Sequence, residues 1–194
     1  MVWDVPNDDN EIYLTFDDGP TPEVTPWVLL ELKKHNALAT FFCIGDNINK
    51  HPELFLEIIA AGHSIGNHTF NHLNGFKTSL QQYAANVQLC ATQIQERSPK
   101  IKSKLFRPPY GKIKPLQARY LRNMGYKIIL WDIISHDFDL SVSKEQCLKN
   151  TTNKAKSGSI IVFHDSIKAS ENLKYALPLA LNYFKKKGFV FAKL

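Results

Sequence analysis

Ile12-Tyr13-Leu14-Thr15-Phe16-Asp17-Asp18-Gly19-Pro20 carries an apolar run straight into two adjacent carboxylates and a Gly-Pro turn. With Glu11 before it, the run reads as a strand over 11–17. Gly-Pro ends that strand and leaves the acids at its mouth. Side by side, the two acids repel unless a cation or a proton is shared between them. Packing is a poor explanation for such a pair. A metal-assisted hydrolytic site is a good one.

Outward from this strand, short apolar runs alternate with helical patterns. Further strands are expected at 38–44, 63–67, 104–107, 126–132, 159–164 and 189–193. Thr25-Pro26 reads as a helix cap followed by proline at the first helical position. Leu54, Phe55, Ile58 and Ile59 recur at helical spacing after Pro52, and Gly62 closes that helix. Leu80, Tyr83, Val87, Cys90 and Ile94 form the clearest apolar stripe. Pro115 and Gly125 bracket another helix, and Ser143 with Gln146 has capping-box spacing. The last helical pattern, 171–187, contains Pro178, where the helix is expected to start or kink. Strand–helix alternation repeated about seven times predicts parallel strands with helical crossovers. The expected fold is therefore α/β, a closed or nearly closed barrel, with an open doubly wound sheet as the alternative. No repeat, low-complexity tract or linker divides the chain, so 1–194 reads as a single domain.

Composition narrows the partners. The chain has 194 residues, 44% hydrophobic and 22% charged, as expected of a globular domain with one substantial core. No apolar stretch reaches the length of a membrane span, and no membrane partner is expected. Met1-Val2-Trp3-Asp4-Val5-Pro6 lacks the basic-then-apolar pattern of a secretory signal, which favours the cytoplasm or a chain whose signal has been removed. The three cysteines, Cys43, Cys90 and Cys147, are far apart and read as buried free thiols. The net charge of +6 raises a nucleic-acid partner. The lysines are dispersed, however, and none interleave with stacking aromatics, so they read as solvated faces. No nucleic-acid partner is expected, a basic surface suits an acidic glycan, and a monomer is the expected state. No Gly-rich phosphate loop follows the first strand, which argues against a dinucleotide.

The unusual polar residues gather at the C-terminal ends of these strands, the edge that carries the active site in barrels and open α/β sheets alike. Asp17 and Asp18 end the first, and His68 follows the third. Arg107 ends the fourth, Asp132 the fifth, and His164 with Asp165 the sixth. His68-Thr69-Phe70-Asn71-His72 spaces two imidazoles i and i+4, which on a helical turn share a face and can hold one divalent cation. With a carboxylate at the same edge they make a His-His-carboxylate set, suited to zinc and to other first-row metals. In Arg107-Pro108-Pro109-Tyr110-Gly111, two prolines stiffen the loop and remove two donors, leaving the Tyr110 amide free for an oxyanion. His164 ends the buried run Ile160-Ile161-Val162-Phe163 and is a candidate general acid. His63 reads as structural, His35 and His51 as surface, and His136 is undecided.

Thr15-Phe16-Asp17-Asp18-Gly19, His68 to His72, Arg107 to Gly111 and Val162-Phe163-His164-Asp165 stand in the order and approximate spacing of the polysaccharide deacetylases, carbohydrate esterase family 4. The resemblance spans nearly the whole chain. It implies a distorted (β/α) barrel, often of seven parallel strands, and a metal-dependent hydrolase that removes N-acetyl groups from a chitin, chito-oligosaccharide or peptidoglycan type of glycan. It also implies roles. Asp17 matches the catalytic base, Asp18, His68 and His72 the ligands of one divalent metal ion, and Arg107 the arginine that orients the base. Tyr110 matches the residue whose amide faces the oxyanion, and His164 the general acid. Zinc is the first expectation for the ion, with Co2+, Ni2+ or Mn2+ as alternatives. Val162 stands where the family has a leucine lining the acetyl pocket. Pro109, Phe138 and Asp132 are further expected pocket residues.

One motif departs. Where the family has Asp-x-x-Asp-Trp, this chain has Ile134-Ser135-His136-Asp137-Phe138. Ile134 cannot support the histidine acid as the family's first acid does, so Asp132 or Asp137 is expected to compensate. Two other readings stay open: an O-acetyl esterase on xylan or a similar glycan, and a catalytically silent carbohydrate-binding protein on the same scaffold.

Overall fold

The computed structural model describes residues Met1–Leu194. Its strands are β1 (Glu11–Asp17), β2 (Thr40–Cys43), β3 (Ser64–Asn67), β4 (Leu105–Phe106), β5 (Lys127–Ile128), β6 (Ile133–Ile134), β7 (Ile160–His164) and β8 (Val190–Ala192). The helices are α1 (Thr25–Lys34), α2 (Gly45–Lys50), α3 (Pro52–Ala60), α4 (Leu80–Arg97), α5 (Pro115–Asn123), α6 (Lys144–Thr152) and α7 (Ser170–Lys186). Seven strands form one curled row in the order β5-β4-β3-β2-β1-β7-β6, and β8 pairs with β1 outside it. Every pairing is parallel. The result is a distorted (β/α) half-barrel, as the strand–helix alternation predicts.

Alternation along the strands sorts side chains between two cores. Ile12, Leu14 and Phe16 of β1 face outward with Phe41, Ile161 and Phe163 of its neighbours. There they meet Val28, Leu32, Phe55, Ile58, Leu177 and Phe184 from the surrounding helices. Tyr13, Phe42, Ile129 and Ile160 fill the barrel interior. Strands buried on both faces read as continuous apolar runs, which is why β1 and β7 were visible without a polar side. The same alternation puts Asp17 and His164, partners in register, on the inner face.

Of the expected strand 126–132 only Lys127–Ile128 forms, as β5, and β6 lies beyond it. The Ile129 amide still donates to the Phe106 carbonyl of β4 (2.8 Å), but the backbone groups after it have other partners. Arg107 donates from Nε to the Ile129 carbonyl (3.4 Å) and from Nη2 to the Leu130 carbonyl (2.9 Å). The Leu130 amide donates to Val2 (2.7 Å), so the N-terminal segment lies along the seam between β5 and β6. Asp132 therefore stands before β6 rather than at the end of β5. Its carboxylate accepts from Ser159 Oγ (2.8 Å) and from the Ile160 amide (2.8 Å), at the start of β7. Four residues of strand, roughly 13 Å, separate that edge from His164. Asp132 is thus not a pocket residue, and it cannot support His164.

Helix α7 begins at Ser170 and continues through Pro178, neither starting nor ending there. Proline removes one helical hydrogen bond. The stripe Leu173, Ala176, Leu177, Ala180, Leu181 and Phe184, all buried, holds the helix to the sheet across that loss. No helix is long and apolar enough to cross a membrane. Cys43, Cys90 and Cys147 are buried and unpaired by disulfides.

Candidate active site

Five of the seven non-glycine residues with left-handed backbone lie at the C-terminal edge of the row: Asp18 (φ 83°), Thr69 (64°), His72 (54°), Tyr110 (60°) and His136 (60°). Such residues cost on the order of 1–3 kcal/mol each and concentrate where function needs them. At the first of them the chain turns sharply. Asp17 points inward because the strand does, and the left-handed step at Asp18 brings the next carboxylate back to the same side. Gly19, next in the chain, supplies space: a Cβ there would overlap the Asp165 carboxylate. Asp165, fully buried, accepts from the Gly19 amide (3.0 Å) and from Thr25 Oγ1 (2.5 Å). Its own amide donates to the Asp17 carbonyl (3.0 Å), so it grips the chain on both sides of Asp18. Thr25 is therefore committed to this contact rather than to capping α1.

Asp18, His68 and His72 bring one ligand atom each within 4.8 Å of one another. His68 Nε2 lies 3.8 Å and His72 Nε2 3.3 Å from Asp18 Oδ1. The residue types fit a divalent cation, and three details of the site agree. Asp18 Oδ1 is buried with no hydrogen-bond partner, an expensive state for a carboxylate oxygen without a cation. His68 Nδ1 is 2.8 Å from the Arg107 carbonyl, which fixes a proton on that nitrogen and leaves the Nε2 lone pair free. Burial, then the neighbouring His68, pushes His72 down to about 4, so its ring stays neutral and able to ligate. The two histidines do not share a helical turn as their spacing implied. Residues 68–72 are an irregular loop, and Thr69 and His72 in left-handed conformations turn the rings together.

Arg107 is fully buried and gives Asp17 a counter-charge. Its Nη1 donates to Asp17 Oδ1 (2.7 Å) and to Thr15 Oγ1 (2.7 Å), and its guanidinium lies over the rings of Phe42 and Trp131. Burial opposes the charge on Asp17. Arg107, His68 and His164 together outweigh it and hold the carboxyl below its usual range. The second carboxylate oxygen, Oδ2, remains turned toward His68 Nε2 at 3.9 Å.

Across the cleft, His164 Nδ1 bonds Asp137 Oδ1 (2.7 Å), and the His164 amide donates to Asp137 Oδ2 (2.8 Å). Burial alone would lower this histidine, but Asp137, with Asp17 and Asp18 beyond it, raises it to about 9. Of the two acids weighed as substitutes at the Ile134 position, Asp137 makes the contact and Asp132 does not. Ile134 lines the cleft instead.

The cleft has a volume of about 540 Å³. Asp17, Asp18, His68, His72 and His164 form its floor, and Tyr110, Trp131, Ile134 and Phe138 its apolar walls. Phe138 packs edge-on to His164 (4.8 Å between ring centres), and Tyr110 against His72 (4.5 Å). Neither Pro109 nor Val162 reaches the surface of the cleft: both are buried, Val162 one layer below His164 along β7. The Tyr110 amide donates to no backbone or side-chain acceptor, and the residues before it are prolines. Trp131, Lys112, Ser166 and Lys168 complete the lining. None of the four stands out from its sequence neighbours, because a loop residue's approach to a site has no periodicity. His63 accepts from the Ala39 amide, a structural contact as expected.

The family model for polysaccharide deacetylases matches residues 4–129. The chain belongs to the polysaccharide deacetylase family. A peptidoglycan-N-acetylglucosamine deacetylase of Bacillus cereus is 35% identical over 192 residues, which cover 98% of this chain and 89% of that protein. A chitooligosaccharide deacetylase of Azorhizobium caulinodans is 33% identical over 165 residues, covering 84% of this family member and 77% of the relative. Among solved structures, a peptidoglycan N-acetylglucosamine deacetylase in complex with a naphthalenyl-N-oxidanyl-benzamide superposes with a TM-score of 0.94 at 31% identity. That match covers 100% of this chain and 90% of the other.

Proposed function

We propose that this protein hydrolyses the acetamide of N-acetylated amino sugars in a glycan of the chitin or peptidoglycan type, releasing acetate and a free amine. One observation carries the reading. Two acid–base groups face each other across one cleft in opposite states at neutral pH: Asp17 is held ionised, and His164 is held protonated by Asp137. Pairs whose environments drive their pKa values apart are the mark of divided acid and base roles.

Asp18, His68 and His72 would hold a divalent ion, zinc as the first choice. Such an ion supplies Lewis acidity, making water a stronger acid and stabilising negative charge. Asp17, fixed by Arg107, accepts the proton of the attacking water. The Tyr110 amide, in its rigid loop, donates to the oxygen of the tetrahedral intermediate. His164 then gives its proton to the sugar nitrogen as the carbon–nitrogen bond breaks. Trp131, Ile134 and Phe138 wall the acetyl group away from water. An amine departs only when protonated, so a histidine raised to about 9 supports an amide substrate over an ester. The intact base and acid argue against the silent reading.

The test is acetate release from N-acetylated chito-oligomers and from acetylated xylan, by the wild type and by Asp17→Asn. The expected result is release from the oligomers, reduced by about 10²–10⁴-fold in the variant as for loss of a general base. Release from xylan alone would replace this reading with the esterase one.

A further inference from the structure

We infer that Asn86, on α4 and outside every motif above, is a positioning residue for the ligand pair His68 and His72. The inference rests on the metal part of the proposed function. Asn86 lies on the buried face of α4 among Tyr83, Val87, Cys90 and Ile94. An amide there is costly unless its hydrogen bonds are made. Oδ1 accepts from the Phe70 amide (2.8 Å) and the Asn71 amide (3.0 Å), and Nδ2 donates to Asn71 Oδ1 (2.9 Å). The Asn86 carbonyl accepts from Phe70 as well (3.2 Å).

One side chain thus takes up two successive amides between the two histidines. The loop cannot supply these partners itself, because Thr69 and His72 are left-handed and no helical turn forms. The far side of the loop is pinned to the start of α2, where the Gly45 and Asp46 amides donate to the Thr69 and Phe70 carbonyls (2.9 and 3.0 Å). Asn47 of α2 also donates to the Asp18 carbonyl (2.7 Å), which joins the third ligand to the same frame. With α2 on one side and Asn86 on the other, the loop is held where both Nε2 atoms face Asp18. Outer partners of metal ligands set affinity in this way, and losing one costs about 10–100-fold.

The experiment measures the Zn2+ dissociation constant by competition with a chromogenic chelator, alongside the melting temperature of the metal-free protein. The variants are Asn86→Ala, Asn86→Asp and, as a control on the same buried face, Val87→Ala. Asn86→Ala is expected to weaken Zn2+ binding about 10–100-fold. Asn86→Asp keeps an acceptor for both amides and is expected to bind close to wild type. Val87→Ala is expected to lower the melting temperature without changing the dissociation constant. Should Asn86→Ala fail to fold, Asn86→Gln, which displaces the acceptor by one methylene, carries the same expected loss. Wild-type affinity in Asn86→Ala or Asn86→Gln, or an equal loss in Val87→Ala, overturns the inference. A wild-type protein that binds no Zn2+ overturns the metal reading itself, and the inference with it.

Discussion

Asp17 and Asp18 are neighbours with different surroundings. Asp17 has a buried guanidinium at 2.7 Å, while Asp18 offers an unpartnered oxygen to two imidazoles. Adjacent strand residues point to opposite faces, so the second acid reaches the site only through the left-handed backbone at Asp18. At the other end of the cleft the informative residue is Asp137. His164, raised to about 9, carries its proton through neutral pH and loses it as pH rises past that value. Turnover should therefore hold through neutral pH and fall in alkali. Asp137→Asn removes the carboxylate that raises His164, so the alkaline limb of kcat should move down by about 1 pH unit or more. An unmoved limb in a pH–rate profile of this variant would separate His164 from the acid role. The sequence narrowed the partner of His164 to Asp132 or Asp137 and could not choose. The choice depends on where strand pairing stops, and past Ile128 the backbone is bonded by Arg107 and Val2, both distant in sequence.

Elements with a local signal were readable. The Ser143–Gln146 cap of α6, the stripe of α4 and the buried runs of β1 and β7 are each written in a few consecutive residues. Elements shaped by distant partners were not. The run 126–132 has strand composition, but its backbone is taken by Arg107 and Val2. The His68–His72 spacing fits a helix, but Asn86 and α2 bind it as a loop. Gly19 belongs to this scale, since the β1–α1 turn works only while Asp165 can approach it. Gly19→Ala should destabilise the fold by about 1–3 kcal/mol, the usual cost of overpacking. The urea midpoint would report the loss, and an unchanged midpoint would mean that the turn yields freely.

The half-barrel assembles one site from segments far apart in the chain: β1, the loops after β3 and β4, the segment around β6, and β7. This convergence was legible in outline, because strand order and the rule that sites lie at C-terminal edges suffice for it. Of the walls only Phe138 was, since Trp131 and Lys112 reach the cleft from loops and Lys168 from a short 3-10 turn. Lys112 and Lys168 make no ion pair, and with the net charge of +6 they present positive charge to an arriving glycan. On an acidic glycan kcat/KM should fall as salt is raised, while a neutral chito-oligomer should be less affected. Equal salt dependence on both would remove the electrostatic contribution. Asp18, His68 and His72 are expected to hold a divalent ion that the reaction requires. Acetate release from an N-acetylated chito-oligomer, measured before chelation, after chelation and after zinc is returned, tests this. Release should be lost with the metal and recovered with zinc, and full release by protein shown to be metal-free would mean that the reaction needs no ion.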